Sequence, residues 1–147
     1  MTLLRAPKHP DYEADMREHD FVYTLFPHAG ELADSKVVEE AAMLNRKPYL
    51  AEGFAAPANF DFPCRIESDG VSLEIVKKAE KSDARIVRLV EFKGRHSKAL
   101  LKFGKFVKKV SHTNLIEWEN GAEINLDGGN AEIALKPYEI VTLKLES

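Results

Sequence analysis

The sequence predicts a mainly β protein, with an antiparallel β-sandwich in its C-terminal part and one α-helix upstream. Three observations support this fold class. From residue 66 onward apolar and polar residues alternate, which is the period of a half-buried strand. About eight such runs follow one another at the roughly 8–12-residue spacing that is typical of sandwiches and barrels. Before residue 48, one segment repeats its apolar residues at the period of a helix instead.

The strand predictions follow the alternation along the chain. The first two runs carry apolar side chains at Val71, Leu73 and Ile75 and then from Ile86 to Phe92. The other predicted strands cover residues 100–103, 106–110, 115–118, 122–126, 131–135 and 140–145. Asn120-Gly121 and Gly128-Gly129 are predicted hairpin turns, because both pairs tolerate the positive φ that such turns require.

Residues 35–45 form the one predicted helix. Its apolar residues recur near a 3.6-residue period, Asp34 or Ser35 supplies an N-cap, and Pro48 ends it. The β-branched and aromatic run at 20–26 predicts a strand, and Thr2 to Arg5 predict the end of another. One helix and one or two strands cannot enclose a core, so residues 1–50 are interpreted as a piece of a larger sheet.

Residues 48–63 interrupt every regular pattern with prolines and glycine, and the boundary between two units is predicted there. The predicted units are residues 1–60 and 64–147. The chain has 147 residues and a formal net charge of −3, which gives no general electrostatic reason to bind nucleic acid. No apolar run is long enough to span a membrane, no secretory signal is visible, and a cytoplasmic location is expected.

Four groups of residues carry candidate chemistry, and each has a structural alternative that we favour. One group could bind a divalent metal but also fits a polar loop: His9, Asp11, Asp15, Glu18 and His19. The Cys64 thiol, next to Arg65, also fits a packed core position. Lysines 98, 102, 105, 108 and 109 could contact nucleic acid, but lysines also protect sheet edges. Trp118 and Tyr138 could stack on a sugar, although burial in the sandwich core is the preferred interpretation.

Several segments together resemble one known family, the C-terminal region of the family 38 glycoside hydrolases, which are retaining α-mannosidases. The matching segments are Leu3-Leu4-Arg5-Ala6-Pro7-Lys8, Glu18-His19-Asp20-Phe21, Tyr23-Thr24-Leu25-Phe26-Pro27-His28-Ala29-Gly30, Leu73-Glu74-Ile75-Val76-Lys77-Lys78-Ala79-Glu80 and Leu135-Lys136-Pro137-Tyr138-Glu139-Ile140. They occur in order over nearly the whole chain. The resemblance implies that residues 1–60 end a large β-supersandwich and that residues 64–147 are a small terminal sandwich.

The resemblance also implies a division of labour. Zinc and the nucleophilic aspartate would belong to an N-terminal catalytic barrel of a longer chain, so no catalytic residue, metal ligand or cofactor is expected here. The expected partners are that barrel and, through it, the α-mannoside substrate. Arg5 alone is expected at the substrate or at an inter-domain salt bridge, because its planar fork can pair with hydroxyls or a carboxylate. The alternatives are a free-standing carbohydrate-binding module and a homo-oligomerisation module.

Overall fold

The computed structural model describes residues 4–46, 48–50, 52–53, 55 and 61–147. In these ranges the one α-helix is α1 (Val37–Asn45), which follows a 3-10 turn at Leu32–Asp34. The strands are β1 (Cys64–Glu67), β2 (Val71–Lys78), β3 (Arg85–Glu91), β4 (Ser97–Phe103), β5 (Lys109–Thr113), β6 (Asn120–Ile124), β7 (Asn130–Leu135) and β8 (Ile140–Glu146). Within the described ranges we find no helix with both the length and the apolar character needed to cross a membrane.

The eight strands form two antiparallel sheets. One has three strands in the order β1-β4-β7, and the other has five in the order β2-β3-β8-β5-β6. The central strand β8 pairs with β3 on one side and β5 on the other, with Leu143 opposite both Val87 and His112. The sheets pack face to face, so the predicted mainly β, antiparallel sandwich with one helix is confirmed.

The core lies between the two sheets, because every second residue of the central strands points inward. Val87, Leu89 and Leu143 of the larger sheet are fully buried, as are Ala99 and Leu101 of the smaller one. Burying one branched aliphatic side chain contributes about 1.5–3 kcal/mol. This cluster draws its buried side chains from strands β1 to β5, β7 and β8 and from the β4–β5 connection, so residues 64–145 contain the core by themselves.

Two local predictions in this part are wrong, and the strand predicted at 106–110 is shifted to Lys109–Thr113, because residues 105–106 form a turn. Residues 115–118 form a loop rather than a strand, since the Asn114 side chain accepts a hydrogen bond from the Trp118 N–H and Glu117 has a φ of +63°. Asn120-Gly121 begins β6 instead of forming a turn. The Gly128-Gly129 turn is confirmed, with φ values of +55° and +83°. Strand β1 begins before the first alternating run and was not predicted as a separate strand.

Upstream, the helix is confirmed as Val37–Asn45, with Lys36 as its N-cap instead of the predicted Asp34 or Ser35. The strand predicted over 20–26 does not form. A strand needs a neighbour to pair its backbone N–H and C=O groups. Residues 20–26 are exposed along their whole length and have no such neighbour among the described residues. Thr2 and Leu3, the start of the other predicted strand, lie outside the described residues, as do Phe54 and Phe60 of the connection.

Candidate functional site

Arg5 is exposed and makes no hydrogen bond or ion pair with any of the described residues. Its guanidinium therefore has all five N–H donors available for a partner outside this chain. The residues that follow it, as far as Arg46, are likewise exposed or half-buried, and none is fully buried. The expected contact of Arg5 with substrate or with another domain stays a prediction.

The polar residues between positions 9 and 19 are not gathered into a metal site. The Asp11 carboxylate accepts the Glu13 N–H at 2.9 Å, and the His19 ring hydrogen-bonds to the Asp15 carbonyl oxygen at 2.9 Å. His9 packs edge-on against Tyr12. Within the described ranges, no three His, Cys, Asp or Glu side chains are placed to hold a metal ion. The arrangement is that of a polar loop.

Cys64 lies at the start of β1 with 7% of its surface exposed. Burial raises the pKa of its thiol to about 12, because a thiolate would lose its hydration there. Its S–H points to the Arg65 carbonyl oxygen, and the Arg65 guanidinium lies over the Phe62 ring instead of beside the sulfur. Cys64 is thus a packed core residue with little nucleophilic thiolate.

The lysine-rich strands carry their own counter-charges. Lys98 pairs with Glu132 at 2.7 Å, Lys109 pairs with Glu123 at 3.4 Å, and Lys102 pairs with Glu67. Each of these pairs joins two neighbouring strands of one sheet. Three of the five predicted lysines thus face a carboxylate, while the Lys108 ammonium donates to the Lys105 carbonyl oxygen at 3.0 Å. This pairing weakens the concentrated positive potential that nucleic-acid binding requires.

The preferred interpretation of Trp118 and Tyr138 as core residues is wrong. Trp118 is 67% exposed and Tyr138 is 73% exposed. Trp118 follows the turn of positive φ at Glu117, and Lys81 covers one face of its ring at 4.4 Å from the centroid. Tyr138 itself has a φ of +58° and lies against Gly94. Lys81 precedes β3 and Gly94 follows it, so the two aromatic rings lie at opposite ends of that strand and do not share one platform.

The candidate functional surface is an apolar groove in the N-terminal segment. It has a volume of about 440 Å³ and lies between α1 and the chain around Phe26. The groove is lined by Thr24, Phe26, Val37, Glu40, Ala41, Met43 and Leu44. None of the nine residues of α1 is fully buried, and Val37 and Leu44 are half-buried. Val37, Ala41 and Leu44 nevertheless form the apolar stripe that is typical of a helix packed against another element.

Two ion pairs tie this segment to the sandwich. Asp34 and Arg95 form a two-pronged pair with N–O distances of 2.9 and 3.0 Å, and the Arg95 guanidinium lowers the pKa of Asp34. At the end of α1, Arg46 pairs with Glu74 of β2 at 2.5 Å. The hydrogen bond from Arg46 is the main reason that the pKa of Glu74 is lowered. These contacts place the groove beside the five-stranded sheet.

Sequence reasoning missed the two most buried carboxylates. Glu91 is 1% exposed and accepts hydrogen bonds from the backbone N–H groups of Lys93, Gly94 and Tyr138 at 2.8–3.0 Å and from the Ser97 hydroxyl at 3.1 Å. Burial opposes its charged form, but the backbone donors outweigh burial and the pKa of Glu91 is lowered. The alternation in the strand predicts only which face of the sheet the Glu91 side chain lies on. The neighbouring residues in the sequence therefore did not indicate these hydrogen-bond partners.

Glu117 is the second such carboxylate, and its side chain is 5% exposed. Its oxygens accept the Glu80 N–H at 2.9 Å and contact the Lys77 ammonium at 2.9 Å. Burial again opposes the charge, yet the Glu80 N–H and Lys77 outweigh it and lower the pKa of Glu117. Both carboxylates are committed to partners within the sandwich, so they hold turns in place and do not face an open cleft.

Comparison with known proteins shows which family this chain resembles. The model described as the glycosyl hydrolases family 38 C-terminal beta sandwich domain matches residues 70–143. Over 99% of the chain the sequence is 34% identical to human alpha-mannosidase 2C1. It is 28% identical to alpha-mannosidase G of Dictyostelium discoideum over the whole chain and 29% identical to the alpha-mannosidase of Saccharomyces cerevisiae over 99% of it. The chain spans only 14–15% of the length of these relatives.

Proposed function

We propose that this chain, which belongs to the family of C-terminal β-sandwich domains of family 38 glycosyl hydrolases, has a supporting role. It would be the non-catalytic C-terminal part of an α-mannosidase. Its relatives over almost the whole chain carry that name and are about seven times as long as this chain, as the 14% coverage implies. The parent polypeptide would hydrolyse terminal α-mannosides with retention of configuration. Zinc and the nucleophilic carboxylate would come from the part of that polypeptide outside this chain.

One observation carries the proposal: the two ends of the chain differ in how they bury apolar surface. Residues 64–145 enclose a core of their own. Residues 4–46 leave large apolar side chains in solvent, among them Leu25 at 83%, Val22 at 77% and Tyr23 at 61% exposure. Exposed apolar surface of this extent marks an interface, because its hydration is unfavourable. The N-terminal segment is therefore proposed to pack against the preceding part of the polypeptide.

This packing gives the two units different roles. Residues 1–60 would complete a large β-sandwich of the parent enzyme, where the apolar run at 20–26 would find the neighbouring strand it lacks here. Residues 64–147 would form a small terminal sandwich that supports the catalytic barrel. The ion pairs Asp34–Arg95 and Arg46–Glu74 would set the angle between the two units.

Arg5 is proposed to border the sugar cleft of the parent enzyme. Its exposed guanidinium has five N–H donors in a planar fork, which fits a carboxylate of the catalytic site or two hydroxyls of the sugar. In either case its contribution is a positioned donor, while bond cleavage belongs to residues elsewhere in the polypeptide.

The test is an α-mannosidase assay with p-nitrophenyl α-mannoside in the presence of zinc. We expect the polypeptide that includes the catalytic barrel to be active and the 147-residue chain alone to release no product. Arg5→Ala in the longer polypeptide should lower kcat/KM more than Arg5→Lys does, while Arg17→Ala, at another exposed arginine, should leave it unchanged. Zinc-dependent release of mannose by the 147 residues alone would contradict the division of labour.

The exposure of Trp118 gives the carbohydrate-binding alternative a specific observation in its favour. A free-standing module would bind mannose or an α-mannoside on the open face of the indole ring. Titration of the 147-residue chain with methyl α-mannoside, followed by tryptophan fluorescence, tests this because Trp118 is the one tryptophan. We expect no saturable change, and a saturable change abolished by Trp118→Ala would favour the binding module.

A further inference from the structure

We infer that the loop between β5 and β6, residues 114–119, is a docking element whose apolar tip is covered by the preceding part of the same polypeptide. The tip consists of Leu115, Ile116 and Trp118, which are 54%, 57% and 67% exposed. The inference rests on the proposed function, since it requires the longer α-mannosidase polypeptide, but it concerns a different surface from the N-terminal groove.

Hydrogen bonds hold the loop in place although its tip is in solvent. Arg88 of β3 donates to the Leu115 carbonyl oxygen at 2.6 Å, and the Thr113 hydroxyl donates to the Glu119 carbonyl oxygen at 2.7 Å. The Asn114 side chain accepts the Trp118 N–H at 3.0 Å. These hydrogen bonds fix the backbone of the loop while the apolar side chains of its tip remain exposed. Such preorganisation lowers the entropic cost of binding.

Glu117 explains why the tip faces outward. Its positive φ turns its side chain toward the sheet, where Lys77 and the Glu80 N–H hold the carboxylate. The residues on either side of Glu117, Ile116 and Trp118, stay 57% and 67% exposed. A left-handed backbone costs free energy in a residue with a side chain. Here it is associated with an inward charged anchor and an outward apolar tip.

The chemistry of the tip fits a protein surface rather than a sugar. Sugars bind where aromatic rings are accompanied by polar groups that can pair with hydroxyls, but two of the three tip residues are aliphatic. The polar groups that hold the loop, including the Asn114 side chain and the Leu115 and Glu119 carbonyls, are engaged within the domain. Lys81 already covers one face of the Trp118 ring. Tryptophan surrounded by aliphatic side chains is a common centre of protein interfaces.

The occupant is assigned from the position of the loop and from the length of the relatives. Glu117 is anchored to Lys77 of β2, and the C-terminal end of α1 is anchored to Glu74 of the same edge strand. The apolar groove of α1 and the apolar tip are therefore both attached to β2. About six sevenths of each relative lies outside the part that matches this chain. A single domain of the same polypeptide is therefore large enough to cover both surfaces.

Hydroxyl-radical footprinting tests this by measuring side-chain exposure at Trp118 in the longer polypeptide and in the 147-residue chain. We expect the oxidation rate of Trp118 to fall severalfold in the longer polypeptide. Ile116→Asp should restore rapid oxidation there, since a buried charge would separate the surfaces. The matched control is Ile140→Asp, at an apolar residue of β8 that is 50% exposed and pairs with Val90 near the opposite end of β3, which should leave Trp118 protected.

The outcomes separate this inference from the proposed function. An active α-mannosidase in which Trp118 stays as exposed as in the 147-residue chain would overturn the inference alone. A longer polypeptide without α-mannosidase activity in which Trp118 is protected would overturn the function alone. Protection that develops in the 147-residue chain as its concentration rises, together with a doubled mass, would identify a second copy as the occupant and overturn the assignment made here.

Discussion

Glu91 connects three parts of the chain at one end of the sandwich. It ends β3, and its carboxylate accepts hydrogen bonds from the β3–β4 turn, from Ser97 of β4 and from Tyr138 in the β7–β8 turn. Gly94 has a φ of +71°, and a Cβ there would lie 2.4 Å from the Tyr138 hydroxyl oxygen. The two turns therefore approach so closely that a carboxylate between them is the acceptor both require.

Substituting Glu91→Gln should lower the free energy of unfolding by about 2 kcal/mol, because the amide would present a donor to N–H groups that need an acceptor. Urea denaturation followed by circular dichroism measures this change. The control is Glu132→Gln on the outer face of the three-stranded sheet, where the carboxylate is 59% exposed, and its midpoint should stay close to that of the unsubstituted chain. Equal midpoints for Glu91→Gln and Glu132→Gln would contradict the proposed role.

The elements of the molecule differ in how much of their structure is supported by packing. Strands β3 and β8 bury residues on the core face and pair on both sides. Helix α1 has nine residues and buries none of them. A helix of that length gains little stability in water from its own hydrogen bonds. The 114–119 loop lies between these extremes, because side-chain anchors and not apolar packing hold it.

At this scale we predict that Glu117→Ala loosens the loop. The substitution removes the acceptor of the Glu80 N–H and one of the two carboxylates, with that of Glu80, that contact Lys77. The unfolding free energy should fall by about 1–3 kcal/mol. Hydrogen exchange should also become faster at the Trp118 amide. Glu119→Ala, at an exposed glutamate two residues away, is the matched control, since the contact of that residue to Thr113 uses its backbone carbonyl. Unchanged exchange in Glu117→Ala would mean that the anchor is dispensable.

The whole molecule divides at the connection before β1. The core cluster lies entirely within residues 64–145. Just before it, the Asp61 carboxylate accepts the Lys105 N–H and the Pro63 carbonyl oxygen accepts the Gly104 N–H. The N-terminal segment contributes two exposed ion pairs, and exposed pairs contribute little to stability.

Residues 61–147 should therefore fold without the segment before them. We expect their melting temperature to differ from that of the 147-residue chain by no more than about 4 °C, the shift that 1 kcal/mol produces in a domain of this size. Differential scanning calorimetry of both polypeptides measures it. Failure of residues 61–147 to show a cooperative transition would place part of the folding core in the N-terminal segment.

Acid should destabilise the sandwich in a specific way. The pKa values of Glu91 and Glu117 are lowered in the folded state, so the unfolded chain binds more protons as the pH falls. Their contribution is fully present above the ordinary glutamate pKa of about 4.3 and is lost as the pH falls through the lower folded values. Urea unfolding between about pH 3 and pH 7 should show this loss, with a shallower slope in Glu91→Gln. An identical slope would assign the acid sensitivity to other groups.

Local features explain how much of the fold could be predicted. Alternation in β3, β7 and β8 and the glycines at 128–129 depend only on adjacent residues, and the structure confirms them. The apolar run at 115–118 has the same local pattern as a strand. It forms a loop because the Asn114 side chain accepts the Trp118 N–H and Glu117 has a positive φ. Of the candidate site residues, Cys64 is placed in the core, whereas the contact proposed for Arg5 stays a prediction.

The sequence by itself determined the sheet-forming pattern, the helix and the resemblance to family 38, because each depends on neighbouring residues or on the order of motifs. Only the tertiary structure decided that Glu91 and Glu117 are buried anchors, that Trp118 and Tyr138 are exposed, and that residues 4–46 lack a core of their own. The physical reason is that burial and pairing depend on groups far apart in the chain, such as Glu117 and Lys77, whose meeting no local pattern encodes.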